Sequence, residues 1–162
     1  MKILAIDPGN TESAYVEMDG YKPIRFGKVP NEHLLEQLDC QGLIDLPPKA
    51  TVIEMVASYG MAVGKEVFDT CVWIGRFTQA SFSPVKYIYR IEEKMTICHD
   101  SKAKDSNIRQ ALIDRFAEFD RKNGKGTKAK PDWFYGFSKD VWSAYAVGVT
   151  FLDKEQEEIT KR

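Results

Sequence analysis

The chain opens with an unbroken apolar run, Ile3-Leu4-Ala5-Ile6, that ends in Asp7. Such a run predicts a strand covered on both faces rather than one open to water. Asp7-Pro8-Gly9-Asn10 then carries the proline and glycine of a tight turn. Ser13 to Met18 predicts a second strand, Asp19-Gly20 is a hairpin signal, and Ile24 to Val29 predicts a third strand antiparallel to the second. After Pro30, Asn31 stands at a capping position and Leu34, Leu35 and Leu38 share one side of a helix running to about Cys40. Beyond Pro47-Pro48, Thr51 to Met55 is a short apolar strand interrupted near its end by Glu54. Val67, Phe68, Cys71, Ile74 and Phe77 predict a helix over 64–80, and a fifth strand follows from Val85 to Tyr89. A short helical turn is expected over 92–98, then a helix from about Ser106 to Phe119 with Ile108, Leu112 and Phe116 inward. The last helix is expected from Ser138, as its cap, to Leu152, with Ala144, Val147 and Phe151 as its inner stripe. The charged stretch 153–162 is expected to fray.

Three hairpin-linked strands followed by two strands alternating with helices describe a mixed α/β sheet with helices on both faces. Right-handed crossovers place the Val52 strand beside the Ile3 strand. At 162 residues one domain over 1–152 suffices, with 153–162 as a charged tail.

That adjacency brings Asp7 and Glu54 to one edge of the sheet. Asp140 stands four residues before Ala144, seven before Val147 and eleven before Phe151, which predicts a side chain on the inward face of the last helix. Each acid has a plain structural alternative: Asp7 starting a turn, Glu54 paired with a lysine, Asp140 favouring a helix dipole. Their joint placement argues for a site. Burying unpaired like charges costs about several kcal/mol, and a divalent cation would offset all three at once. Carboxylate oxygens suit magnesium or manganese, ions that assist phosphodiester hydrolysis.

Total charge is nearly balanced, 23 basic against 24 acidic residues, so it gives no argument for nucleic acid. The stretch Arg121 to Lys130 is free of acids and leads through Pro131 into Trp133, Phe134 and Tyr135. It reads as a basic loop able to meet phosphates or, alone, as a solvated and mobile connection. Three cysteines without CxxC spacing suggest neither a disulfide framework nor a zinc ribbon, and reduced thiols in a cytoplasmic setting are expected. Cys98-His99-Asp100 reads as a surface turn, and the three tryptophans as packing residues. No apolar run approaches the roughly 18 residues of a membrane span.

Four segments resemble the RuvC-type Holliday junction resolvases, in particular their short bacteriophage-encoded members: ILAIDPGNTESAYV, VIEMVASYGM, AKDSNIRQAL and DVWSAYAVGV. The resemblance spans almost the whole chain and implies a ribonuclease-H-like fold with Asp7, Glu54 and Asp140 as magnesium or manganese ligands. It implies a base near the scissile phosphate, Lys104 first and Lys102 second. Two departures stand out. Ser143 occupies the place of a second helix acid, where a hydroxyl makes a weaker metal site; either Asp105 or a water compensates, or the hydroxyl suffices, or the site is altered to trap substrate. Ala57 replaces an aromatic used near the crossover, leaving Tyr59 as the nearest aromatic. The resemblance further implies a homodimer with the 64–80 helix as its surface, which otherwise reads as an ordinary core helix.

The expected function is thus metal-assisted nicking of branched DNA: four-way junctions, flaps or forks. Asn10, Thr11, Arg121, Lys122, Lys125, Lys128 and Lys130 would contact the DNA backbone. One alternative keeps the fold and loses cleavage, leaving a branched-DNA-binding protein. Another, a sugar-kinase or actin-like ATPase reading of the Asp-Pro-Gly turn, needs a duplicated domain for which 162 residues leave no room.

Overall fold

A computed structural model describes residues 1–39 and 47–161. Cys40, at the expected end of the first helix, and Arg162 lie outside the described residues. The elements follow in the order β1 (Lys2–Asp7), β2 (Glu12–Asp19), β3 (Lys22–Pro30), α1 (Asn31–Asp39), β4 (Ala50–Met55), α2 (Lys65–Ala80), β5 (Val85–Tyr89), α3 (Arg90–Cys98), α4 (Asp105–Phe116) and α5 (Lys139–Thr160). The sheet order is β3-β2-β1-β4-β5, antiparallel across β3, β2 and β1 and parallel across β1, β4 and β5.

The apolar run of β1 is continuous because it serves two cores. Ile3 and Ala5 point into a cluster with α4 and α5, while Leu4 and Ile6 point into a second with α1 and α2. Side chains alternate along strands, so Asp7 continues the face of Ile3 and Ala5, and Glu54 continues that of Val52. Both acids therefore lie on the α5 side of the sheet. Register aligns them: Ile6 pairs with Ile53, and Asp7 and Glu54 are one step further along each strand.

From Val141 to Leu152, α5 is buried on nearly every side, with only Ser143 partly exposed. It lies close to the sheet at Gly148, where an added Cβ would overlap Met18 Sδ and stand 3.1 Å from Ala5 Cβ.

Several element ends differ from expectation. Ser138 holds the N-cap position of α5 without a side-chain cap bond. The helix does not fray after Leu152 but continues to Thr160. Charges that look solvated in the sequence are paired across the fold. Asp153 accepts from Arg115 Nη1 and Nη2 at 2.7 and 2.8 Å and from the Tyr21 hydroxyl at 2.7 Å, and Lys154 bonds Glu92. The expected turn over 92–98 is a full helix from Arg90. α4 starts one residue early, at Asp105, and stops at Phe116 because the following backbone N–H groups turn to Asp132. No described helix is long and apolar enough to cross a membrane.

Candidate active site

The turn after β1 is fixed from beneath. Asn31, fully buried, does not cap α1 with its side chain. Its Nδ2 donates to the Gly9 carbonyl at 2.8 Å, and its Oδ1 accepts from Ser13 Oγ at 2.6 Å. Ser13 Oγ in turn accepts from the Gly9 N–H at 3.1 Å. This network holds the Asp-Pro-Gly turn, and with it the backbone that carries Asp7. Sequence reasoning missed Ser13 and Asn31 because a buried Asn and a helix cap look alike in one dimension.

Asp7 and Glu54 face one another closely enough for the charge of Glu54 to act on Asp7. Burial, then the Glu54 charge, pushes Asp7 up to about 8 despite the opposing Arg90; Asp140 adds to the rise. Glu54 is also raised, chiefly by burial, with Arg90 again opposing. An acid pair of this kind retains a proton that a divalent cation would replace. The all-oxygen donor set fits a hard cation such as magnesium or manganese.

Asp140 differs from its expected position on a buried stripe. It lies in the first turn of α5, 39% exposed, and accepts from Lys28 Nζ at 2.7 Å. Lys28 is also 3.8 Å from Glu12. The structure thus joins Asp7 to Glu54 and sets Asp140 near them, held by a lysine. Among the described residues no three His, Cys, Asp or Glu side chains form a ready cage for a metal ion.

Two further charged residues were missed. Glu93 in α3 is fully buried and accepts from Arg90 Nη1 at 2.5 Å, while its Oε1 has no hydrogen-bond partner. Arg90 Nη2 donates to Asp105 Oδ1. Burial, reinforced by the charge of Glu54, drives the Glu93 carboxyl well above the usual range. The sequence signal was an Arg and a Glu three apart directly after the fifth strand, the spacing of facing helix neighbours.

The surroundings divide into three clefts. One is lined by Asp7, Asn10, Thr11, Lys28 and Asp140. A second is lined by Arg90, Asp105, Lys139, Trp142 and Ser143. A third holds Arg109, Lys122 and Lys125 beside Trp142, over which the Arg109 guanidinium lies 5.6 Å from the ring centroid. Lys104 holds the N-cap position of α4 and Lys102 the turn before it; both are exposed and line none of these clefts. Tyr59 is exposed with φ 48°.

The basic loop is built rather than loose. Asp132 accepts from the N–H groups of Glu118, Phe119, Asp120 and Trp133, and Asp120 from those of Asn123, Lys125 and Gly126. These bonds hold both carboxyls below the usual range. Lys122 and Lys125 face the third cleft. Arg121 donates to the Asp114 carbonyl at 2.8 Å, Lys130 lies 4.3 Å from the Phe119 ring centroid, and Lys128 is exposed. Trp133 stacks on Phe116 at 5.5 Å and donates to the Tyr145 hydroxyl at 3.2 Å, so it packs; Tyr135 is 43% exposed. Cys98-His99-Asp100 is a helix end, with His99 in the left-handed region.

No family model matches the chain, and no curated protein matches it. Among solved structures, RuvC of Thermus thermophilus superposes with a TM-score of 0.68 at 16% identity, covering 98% of this chain and 97% of that one. The same protein in complex with a Holliday junction substrate gives 0.68 at 14% identity, covering 97% and 96%. The fowlpox virus Holliday junction resolvase gives 0.54 at 18% identity, covering 96% and 99%. The chain therefore has the ribonuclease-H-like fold of these resolvases, with the mixed five-stranded sheet expected from its sequence.

Proposed function

We propose that the chain is a divalent-metal-dependent, structure-selective endonuclease that nicks branched DNA such as Holliday junctions by phosphodiester hydrolysis. The observation that carries this reading is the Asp7–Glu54 carboxyl pair, half-buried at one sheet edge on a resolvase fold. Asp7, Glu54 and Asp140 would hold magnesium or manganese. When bound, such an ion supplies Lewis-acid activation of water and offsets charge at phosphorus. Asp7 would give up its proton, and Asp140 its bond to Lys28, in order to hold the ion. Asn10 and Thr11, in the same cleft as Asp7, meet a phosphate near the cut. Lys122 and Lys125 carry the strand onward through phosphate contacts, which fix position and leave selection to DNA shape. Lys102, Lys104, Arg121, Lys128 and Lys130 add positive charge around this path. Two symmetric nicks require a homodimer, and Phe68 and Val72 of α2, each 62% exposed, support that helix as its surface.

The test is cleavage of a synthetic four-way junction in magnesium, with linear duplex as control. Junction-selective nicking is expected, Asp7→Asn lowering it by about a thousandfold or more while binding persists. Unchanged cutting by Asp7→Asn removes the pair from the chemistry.

A second reading rests on Ser143 and on the Lys28 pairing of Asp140: a branched-DNA-binding protein that does not cleave. It predicts no magnesium-dependent nicking until Ser143→Asp is introduced.

A further inference from the structure

The acid pair has two unlike flanks. Asp140 and Lys28 line a cleft with Asp7 on one, while on the other Arg90, whose charge acts on both acids, lines a separate cleft with Asp105, Lys139 and Ser143. A nuclease using two ions needs acid oxygens on both flanks, one ion serving the attacking oxygen and one the leaving oxygen.

On the Ser143 flank the acids are already committed. Glu93 accepts from Arg90 at 2.5 Å, Asp105 accepts from the same guanidinium, and α5 offers only a hydroxyl. The Arg90 side chain is 25% exposed and cannot discharge by losing a proton. It is also the cation that acts on Asp7, Glu54 and Glu93 together. A divalent ion entering this flank would meet a fixed like charge, with one oxygen each of Glu93 and Asp105 already held by that same guanidinium. Glu93 has a matching role. A fully buried carboxylate with one oxygen unpartnered is costly, and its one partner is Arg90, so it acts as a positioning residue that aims the guanidinium. A guanidinium carries five N–H donors, so Arg90, bound to Glu93 and Asp105, keeps further donors for a phosphate oxygen.

Building on the nuclease reading above, we propose that Arg90 is the second cation of the site. The chain then binds a single divalent ion, on the Asp7, Glu54 and Asp140 flank, and Arg90 meets the phosphate from the Ser143 flank.

The experiment counts manganese ions on the full chain without DNA, by calorimetric titration and by electron paramagnetic resonance of free Mn2+. One ion per chain is expected for the wild type, for Ser143→Asp and for Arg90→Lys. Two are expected for the Arg90→Met/Ser143→Asp double variant, in which Glu93, Asp105 and the new acid become available. Two ions on the wild type, or on Ser143→Asp alone, overturn the proposal without any disruptive substitution. A double variant that folds and still binds one ion also overturns it. Wild-type protein that nicks junctions with two ions bound sinks the role of Arg90 and leaves the nuclease reading intact. Protein that binds no manganese sinks both.

Discussion

Asp7 and Glu54 stand one register step beyond the Ile6–Ile53 pair of two parallel strands, on the same face of the sheet, where the charge of Glu54 acts directly on Asp7. Parallel neighbours lie about 4.8 Å apart, which leaves two acids in this position no route to separate. Repulsion is relieved by a retained proton, or by a cation.

The retained proton makes stability depend on pH. Asp7 is pushed up to about 8 in the fold, whereas an unfolded aspartate titrates near 3.9. Between those values the native state holds a proton that the unfolded state has lost, so this group's contribution falls as pH rises and levels off above about 8. Asn cannot titrate. Metal-free Asp7→Asn should therefore melt higher than the wild type, with a gap that widens from pH 5 to pH 8 in calorimetric scans. A gap constant with pH would contradict the assignment.

Lys28 competes with any cation for Asp140. The pair is partly exposed, 41% and 39%, so its own worth is about 0.5–1 kcal/mol. Lys28→Met should tighten manganese binding about two- to fivefold, from release of Asp140 and loss of a nearby like charge. Titration calorimetry at fixed ionic strength measures this; weaker binding would mean that Lys28 helps to order the site.

Asp132 gathers four backbone N–H groups into one carboxylate. Asp132→Ala leaves them without that acceptor and should cost about 2–4 kcal/mol in urea unfolding. Because its carboxyl lies below the usual range in the fold, the stabilisation is present at neutral pH and is lost as acid protonates it. Junction binding should weaken with the loop, since Lys122 and Lys125 are carried on it.

Those two lysines face the cleft that runs on from Trp142. Lys122→Gln and Lys125→Gln should each weaken junction binding regardless of sequence and reduce the slope of log K against log salt by about 1. Lys128→Gln, outside that cleft, should change the slope less.

The three antiparallel strands, the place of β4 beside β1 and the shared sheet edge of Asp7 and Glu54 were legible in the sequence, because alternation and apolar continuity fix register and face, whereas the place of β5 beyond β4 was not. Asp140 was only half legible. Periodicity located it relative to Ala144 and Val147 but not the point where the helix end emerges from the core, nor Lys28 waiting there from β3. Arg90 and Glu93 were hidden by their polarity. A buried ion pair reads as an exposed turn until its elements are folded together, and Asn31 passed for a cap for the same reason. The persistence of α5 to Thr160 rests on partners more than 35 positions away, such as Arg115 for Asp153, which no local pattern contains.

Gly148 sets how deeply α5 seats against β1 and β2, with Met18 and Ala5 directly beneath it. The clearance there is that of a hydrogen atom. Any side chain would act as a shim, tilting the rod whose first turn carries Asp140 and Ser143 relative to the strand that carries Asp7. The alignment of the charged groups is thus governed from a position that bears no functional group at all, two helical turns further along the chain.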